Sequence, residues 1–186
     1  MAKQALLIID LQNEYLPSGK LPLVGIHEAV DKAAQILAEA RKKNITVIHV
    51  RHEFIDANVP FFKPNTAAVE IQEAVAPLES ETVIVKNEVN AFKGTQLKSL
   101  LDTQGVTELT IIGAMSHMCI DAAVRAAADY GYRVTVIHDA CATRDLEFNG
   151  TTAPAAAVQT AMMAAFEFGY ATVMSTQDYL QQLSAH

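Results

Sequence analysis

Six short apolar runs recur along the chain: ALLII (5–9), ITVIHV (45–50), TVIVK (82–86), LTIIGA (109–114), RVTVIH (133–138) and YATVMS (170–175). They are rich in Val, Ile and Leu and do not alternate with polar residues. A strand with one wetted face alternates, so continuous apolar runs of this length indicate strands covered on both faces. Helical patterns fill most of the gaps. HEAVDKAAQILAEARKK (27–43) carries an apolar face of Ala29, Val30, Ala33, Ala34, Ile36 and Leu37. TQLKSLLDTQG (95–105) starts at a capping Thr and stops at Gly, and SHMCIDAAVRAAADYG (116–131) runs from Ser to Gly. TAPAAAVQTAMMAAFEFG (152–169) also ends at Gly. Strands alternating with helices make βαβ units. The pattern predicts an α/β fold: a three-layer α/β/α sandwich around a six-stranded, mostly parallel, Rossmann-like sheet.

The 186 residues suit one domain, 1–186, with no internal repeat, low-complexity tract or linker. Segment 51–81 departs from the pattern, with three prolines and the aromatics Phe54, Phe61 and Phe62. An excursion of that length after a strand is either a substrate loop or a loop packed by its own phenylalanines.

Charge and cysteine content exclude several classes. The net charge is −7 and no basic run or basic-aromatic patch appears, which argues against nucleic acid. Two cysteines make no disulfide framework and suit a reducing compartment. The first apolar run ends at Asp10, too early for a signal-peptide core. The weakly polar stretch 151–174 contains Pro154 and Glu167 and reads as a helix and a strand rather than a membrane span. A cytoplasmic protein without membrane contact is expected.

Ligands of open parallel sheets bind outside the carboxyl ends of the strands. Asp10 closes the first run, Lys86 closes the third, and Cys119 follows the fourth, just inside a helix start. A carboxylate there is costly to bury without a cation, and Lys86 has the mirror problem. The two could form a structural ion pair with no chemistry attached. The thiol adds a third member. Lys86 would favour the charged forms of both neighbours, and a helix N-terminus favours thiolate. Asp10 could then take the thiol proton and Cys119 attack a carbonyl carbon. Backbone N–H groups at the helix start could receive the oxyanion. On this reading Cys119 ionises below the free-thiol value of about 8.5.

Five blocks follow one another in order: LLIIDLQNEY, VIHVRHEF, VIVKNEVNAFKGTQL, IIGAMSHMCIDAAVRAAADYGY and VIHDACATRD. Together they resemble the isochorismatase-like cysteine hydrolase family over nearly the whole chain. The resemblance implies a doubly wound parallel sheet and an Asp–Lys–Cys triad, which falls on Asp10, Lys86 and Cys119. It also implies a cis peptide between Ala114 and Met115, aiming the Met115 and Cys119 N–H groups at the oxyanion. Ser116 stands at a position where a Thr is the family's small hydroxyl. The implied activity is metal-independent hydrolysis of a C–N bond in a small amide, ureido or lactam-like substrate, through a thioester and without a cofactor. One alternative is an isochorismatase-type vinyl ether hydrolase, which need not use the thiol. Another is a non-enzymatic oligomeric binding module, which would have no use for one.

The nicotinamidase branch of this family holds a metal through an Asp-x-His pair after the second strand. His52 and Phe54 stand there, and Phe cannot coordinate, so no metal is expected. His49 and His52 lie three apart on an extended segment and face opposite sides; His49 reads as a core histidine and His52 as a residue at the cleft mouth. His117 points away from Cys119 at i, i+2, and Asp139 is expected to brace the loop that follows it. Cys141 reads as a small buried hydrophobe, and Asp121 with Arg125 as an i, i+4 pair. Tyr15, His52, Phe62, Asn90 and Phe92 are the candidate substrate contacts. No G-x-G-x-x-G or Walker A pattern exists, so the fold implies no nucleotide. The Ala-rich helix around residues 122–128, together with Leu146 and Phe148, points to a homo-oligomer.

Overall fold

The central strand of the sheet is the first in the chain. The computed structural model describes residues 3–56 and 58–185. β1 (Gln4–Ile9) leads through α1 (Ile26–Lys42) to β2 (Thr46–His52), and a long connection leads to β3 (Thr82–Lys86). α2 (Leu97–Thr103) and β4 (Glu108–Ala114) follow, then a π-helical turn (Ser116–Ile120) that runs into α3 (Asp121–Asp129). β5 (Arg133–Ala142), the hairpin β6 (Leu146–Phe148) and β7 (Thr151–Ala153), α4 (Ala155–Gly169), β8 (Thr172–Met174) and α5 (Thr176–Ser184) complete the chain. The large sheet has the order β3-β2-β1-β4-β5-β8, and every pairing is parallel.

Both faces of β1 are buried. Ala5, Leu7 and Ile9 pack toward α2, α3 and α4. Leu6 and Ile8 pack toward α1 and α5. That double burial is why ALLII is apolar without alternation. The apolar stripe of α1 (Ile26, Ala29, Val30, Ala33, Ile36, Leu37, Ala40) lies against the sheet. Each fully buried Ile or Leu there contributes about 1.5–3 kcal/mol.

Several boundaries differ from expectation, each for a local reason. β3 is an edge strand whose Val83 and Val85 are 41% and 44% exposed, so it is not covered on both faces. β5 runs four residues beyond His138, because the ladder slips between Ile111 and Gly113 and lets the chain re-pair at Cys141. The YATVMS strand shrinks to Thr172–Met174 at the other edge. Residues 151–153 belong to the hairpin rather than to the helix, and Asn149 and Gly150 supply the positive φ values of its two-residue turn. α5 lies beyond the helices that the sequence pattern predicts; its signal is Ser175, whose hydroxyl accepts from the Asp178 N–H as an N-cap. Asp139 braces that same helix start, accepting from the Thr176 N–H and hydroxyl at 2.8 Å, not the loop after β5. Among the described residues, no helix is long and apolar enough to cross a membrane.

Candidate active site

β1 connects toward one side of the sheet and β4 toward the other, so the strand order reverses between them. A crevice opens at such a switch point beyond the strand ends. Asp10 leaves β1 there with a φ of 53°, a left-handed conformation that Asp tolerates better than most residues. Its N–H still donates to Val50 at 2.9 Å. Opposite, β4 approaches so closely that a Cβ at Gly113 would lie 1.9 Å from the Ile9 carbonyl oxygen. Gly113 has a φ of 132° and lets the two strand ends converge. The chain then passes the cis Ala114–Met115 bond into the π turn, where the Met115 carbonyl accepts from Met118 and Ile120. Cys119 sits on that turn, a feature common at functional sites.

Lys86 reaches in from the end of β3. Its Nζ lies 2.9 Å from Asp10 Oδ2 and donates to Cys119 Sγ at 3.2 Å. It also donates to His52 Nδ1 at 3.0 Å and to the Glu88 carbonyl at 3.2 Å. Asp10 and Lys86 are fully buried and Cys119 is 7% exposed. The Asp10 contact has the length of an ion pair, and the carboxylate has only Lys86 and the Cys119 thiol for polar side-chain neighbours among the described residues. A carboxylate with about four lone-pair sites and two polar neighbours keeps acceptor capacity for a proton or a substrate N–H.

Burial pushes the Asp10 pKa up, and Lys86 offsets this only in part. Burial also disfavours the Lys86 cation, but Asp10 and Cys119 more than compensate and its pKa rises. The Cys119 thiol is pushed up, first by burial and then by the Asp10 charge, with Lys86 pulling the other way. The expected lowering of the thiol is therefore reversed in the resting site. A helix end and one cation do not outweigh desolvation beside an ionised carboxylate.

The other candidates fall into place around this cluster. His52 is 5% exposed and bound to Lys86 rather than standing at an open mouth. Its ring meets Phe54 edge-on at 4.4 Å and Phe62 at 5.4 Å, and Phe62 meets Tyr15 at 5.2 Å. Asn90 spends its side-chain oxygen on the Phe92 N–H. Phe92 packs on Tyr130 and Tyr132, at 5.3 and 6.4 Å. His49 lies on the opposite face and hydrogen-bonds Glu81 at 3.0 Å. His117 binds the Thr143 hydroxyl at 2.7 Å. Cys141 is buried, which pushes its thiol up to about 12. Asp121 and Arg125 pair at 2.7 Å. Ser116 donates to Gln159 at 2.6 Å, tying the π turn to α4.

Two residues of the block DLQNEY act here without having been singled out. Gln12 clamps the backbone of His52 from both sides, donating to its carbonyl at 2.9 Å and accepting from its N–H at 2.8 Å. Glu14 accepts from the Lys20 and Phe62 N–H groups at 2.8 Å and holds Phe62 in place. Their signal was polarity directly after an apolar strand, where buried polar groups must find partners. For a metal, the donor set does not fit. Among the described residues no three His, Cys, Asp or Glu side chains group to hold an ion, and His52 faces an ammonium. A cavity of about 710 Å³ near Gln4, Glu108 and Arg133 lies at the opposite, amino-terminal edge of the sheet and contains none of these groups.

Fold and site together define a doubly wound α/β/α protein with a thiol, a carboxylate and an ammonium at its switch point. The isochorismatase domain model matches residues 4–178, and the chain belongs to the isochorismatase family of hydrolases. The isochorismatase family protein YddQ of Bacillus subtilis is 47% identical, over 95% of this chain and 98% of its own length. An isochorismatase from Pseudomonas putida superposes with a TM-score of 0.89 at 42% identity, covering 95% of this chain and 91% of its own. Maleamate amidohydrolase of Pseudomonas putida is 31% identical, over 97% of this chain and 87% of its own length.

Proposed function

We propose that this hydrolase cleaves the C–N bond of a small amide, ureido or lactam-like substrate through a Cys119 thioester. The observation that carries this reading is the Lys86 ammonium lying between the Asp10 carboxylate and the Cys119 sulfur, at 2.9 and 3.2 Å. The amidohydrolase activity named for a relative agrees with it.

In the resting site the thiol keeps its proton. Asp10, made more basic by burial, takes that proton as the sulfur attacks the substrate carbonyl carbon. The carbonyl oxygen becomes an oxyanion received by the backbone N–H groups of Met115 and Cys119. Met115 N–H makes no backbone hydrogen bond among the described residues, so it is free for this purpose. Lys86 holds the developing thiolate and keeps Asp10 oriented. The C–N bond breaks as Asp10 returns the proton to the leaving nitrogen, giving an amine or ammonia and an acyl thioester. Asp10 then takes a proton from water, the hydroxide attacks the thioester carbonyl, and the acid and the thiol are released.

The test is a panel of small amides, ureides and lactams scored for ammonia or amine release. Wild-type chain should turn over at least one class, and Cys119→Ala should fall to background while keeping its circular dichroism spectrum. Intact-mass spectrometry should trap an acylated chain with Cys119 modified. Full activity in Cys119→Ala would refute the thioester route. A panel that adds a vinyl ether cleaved equally by Cys119→Ala would move the chain to the isochorismatase-type alternative.

A further inference from the structure

His52 touches the Lys86 ammonium and has no part in the proposed reaction steps. His52 stands at the end of β2, and the parallel register pairs it directly with Lys86 on β3. Its ring is enclosed by Phe54 and Phe62, and Gln12 fixes its backbone. An ammonium has three N–H bonds and no acceptor. Those of Lys86 are directed to His52 Nδ1, the Glu88 carbonyl and Cys119 Sγ, with Asp10 beside them as the counter-ion.

We infer that His52 is a positioning residue: its Nδ1 lone pair anchors the Lys86 ammonium and so aims the third Lys86 N–H at the Cys119 sulfur. The inference deepens the proposed reaction and rests on its assignment of Lys86 and Cys119. Because Lys86 only donates, Nδ1 must accept, which puts the neutral ring's proton on Nε2. Nε2 has no hydrogen-bond partner among the described residues. A residue kept for packing alone would avoid that orphaned donor, as Phe does in the same cage. The acceptor offered to Lys86 is what the imidazole adds. Burial and then the Lys86 charge lower the His52 pKa to about 4, so the ring is neutral at pH 7; the Glu88 carbonyl, which opposes this, would take a ring N–H only in the competing Nδ1–H tautomer.

Two measurements test this without knowledge of the substrate. Long-range proton–nitrogen NMR on chain labelled with nitrogen-15 histidine, assigned with His52→Asn, should show His52 neutral and protonated on Nε2 at pH 7. An Nδ1–H tautomer or an imidazolium would overturn the proposal with no variant needing to fold. Iodoacetamide alkylation of Cys119, read on the peptide by mass spectrometry, gives the second readout. His52→Phe removes the acceptor but fills the space. It should raise the thiol pKa by about one unit and slow alkylation about tenfold. His52→Asn restores a short acceptor and should recover most of the wild-type rate. An unchanged rate in His52→Phe, or failure of Asn to rescue, would also overturn it. Cys119→Ala in the amide panel tests the hydrolase assignment separately, so either idea can fail alone.

Discussion

Lys86 Nζ donates to Cys119 Sγ at 3.2 Å across 33 positions of sequence, from an edge strand to a turn beyond the central sheet. That contact makes a cation the immediate neighbour of the thiol, while Asp10 supplies the opposing charge. The balance of these two fields governs the first two predictions.

Replacing Asp10 by Asn should separate acidity from activity. The Asp10 charge is among the causes that raise the Cys119 pKa, and Lys86 would remain to stabilise thiolate. The thiol of Asp10→Asn should therefore ionise at lower pH than wild type, read as thiolate absorbance in the ultraviolet, while amide turnover is lost with the base. A thiol pKa that rises in this variant would sink the assignment of Asp10 as its charged neighbour.

Removing Lys86 should cost stability as well as activity. Lys86→Met leaves a fully buried carboxylate without its cation, a loss of about 3–5 kcal/mol. The cost should shrink as pH falls, since a protonated Asp10 needs no counter-ion. The double variant Asp10→Leu with Lys86→Met should be more stable than Lys86→Met alone. Urea unfolding at pH 7 and pH 4.5 checks both statements; a loss below about 1 kcal/mol for the single variant would contradict them.

Acid should weaken the fold through its buried histidines. The pKa of His52 is lowered to about 4, and that of His49 is lowered by burial, so the unfolded chain takes up these protons first. Their contribution is present above about pH 6.5 and is lost as pH falls, for His52 over the window from 6.5 to about 4. Asp10, with its raised pKa, acts in the opposite sense because the folded chain is protonated first. Comparing wild type with His52→Asn isolates the histidine. The variant should lose less stability between pH 7 and 4.5, and an identical loss would contradict the prediction.

Gly113→Ala should be among the most damaging single substitutions. The new Cβ would lie 1.9 Å from the Ile9 carbonyl oxygen, on a backbone with a φ of 132° that side chains rarely adopt. Neither strand can retreat without opening the sheet beneath Asp10. The expected loss is at least about 3 kcal/mol in urea unfolding. A loss under about 1 kcal/mol would show that the strand ends can part freely.

The Ala-rich helix α3, expected to face a second copy, is instead packed against the core beside α4 of the same chain, with Arg125 over the Tyr170 ring; we propose that the chain self-associates through α4 and the β6–β7 hairpin. Phe168 near the end of α4 and Phe148 on the hairpin are 95% and 81% exposed. Ala157, Ala161 and Ala164 face outward on the same helix. Light scattering at micromolar concentration should give at least twice 20.1 kDa. Phe148→Asp with Phe168→Glu should lower that mass; a wild-type monomer would refute the proposal.

Sequence alone determined the layer architecture and singled out the three residues proposed to carry the chemistry. Apolar runs without alternation mark the strands covered on two faces, as β1 and β4 are, although the same pattern in TVIVK belongs to an edge strand with one open face, and the helical stretches between most runs fix the parallel connections. Asp10 and Lys86 were legible because each is a charged group closing an apolar strand, where burial demands a partner, and Cys119 because it is a thiol just inside the helix start that follows the fourth strand. What the sequence could not supply was register and proximity. His52 pairs with Lys86 because β2 and β3 align those two positions, an alignment that no local pattern encodes. The slip in β5, the close approach at Gly113 and the clamp of Gln12 on His52 likewise arise only when distant segments meet. Tertiary structure also decided the sign of the Cys119 shift. A helix start and a lysine can be read from the chain and both favour thiolate, but the desolvation that outweighs them exists only once the site is enclosed.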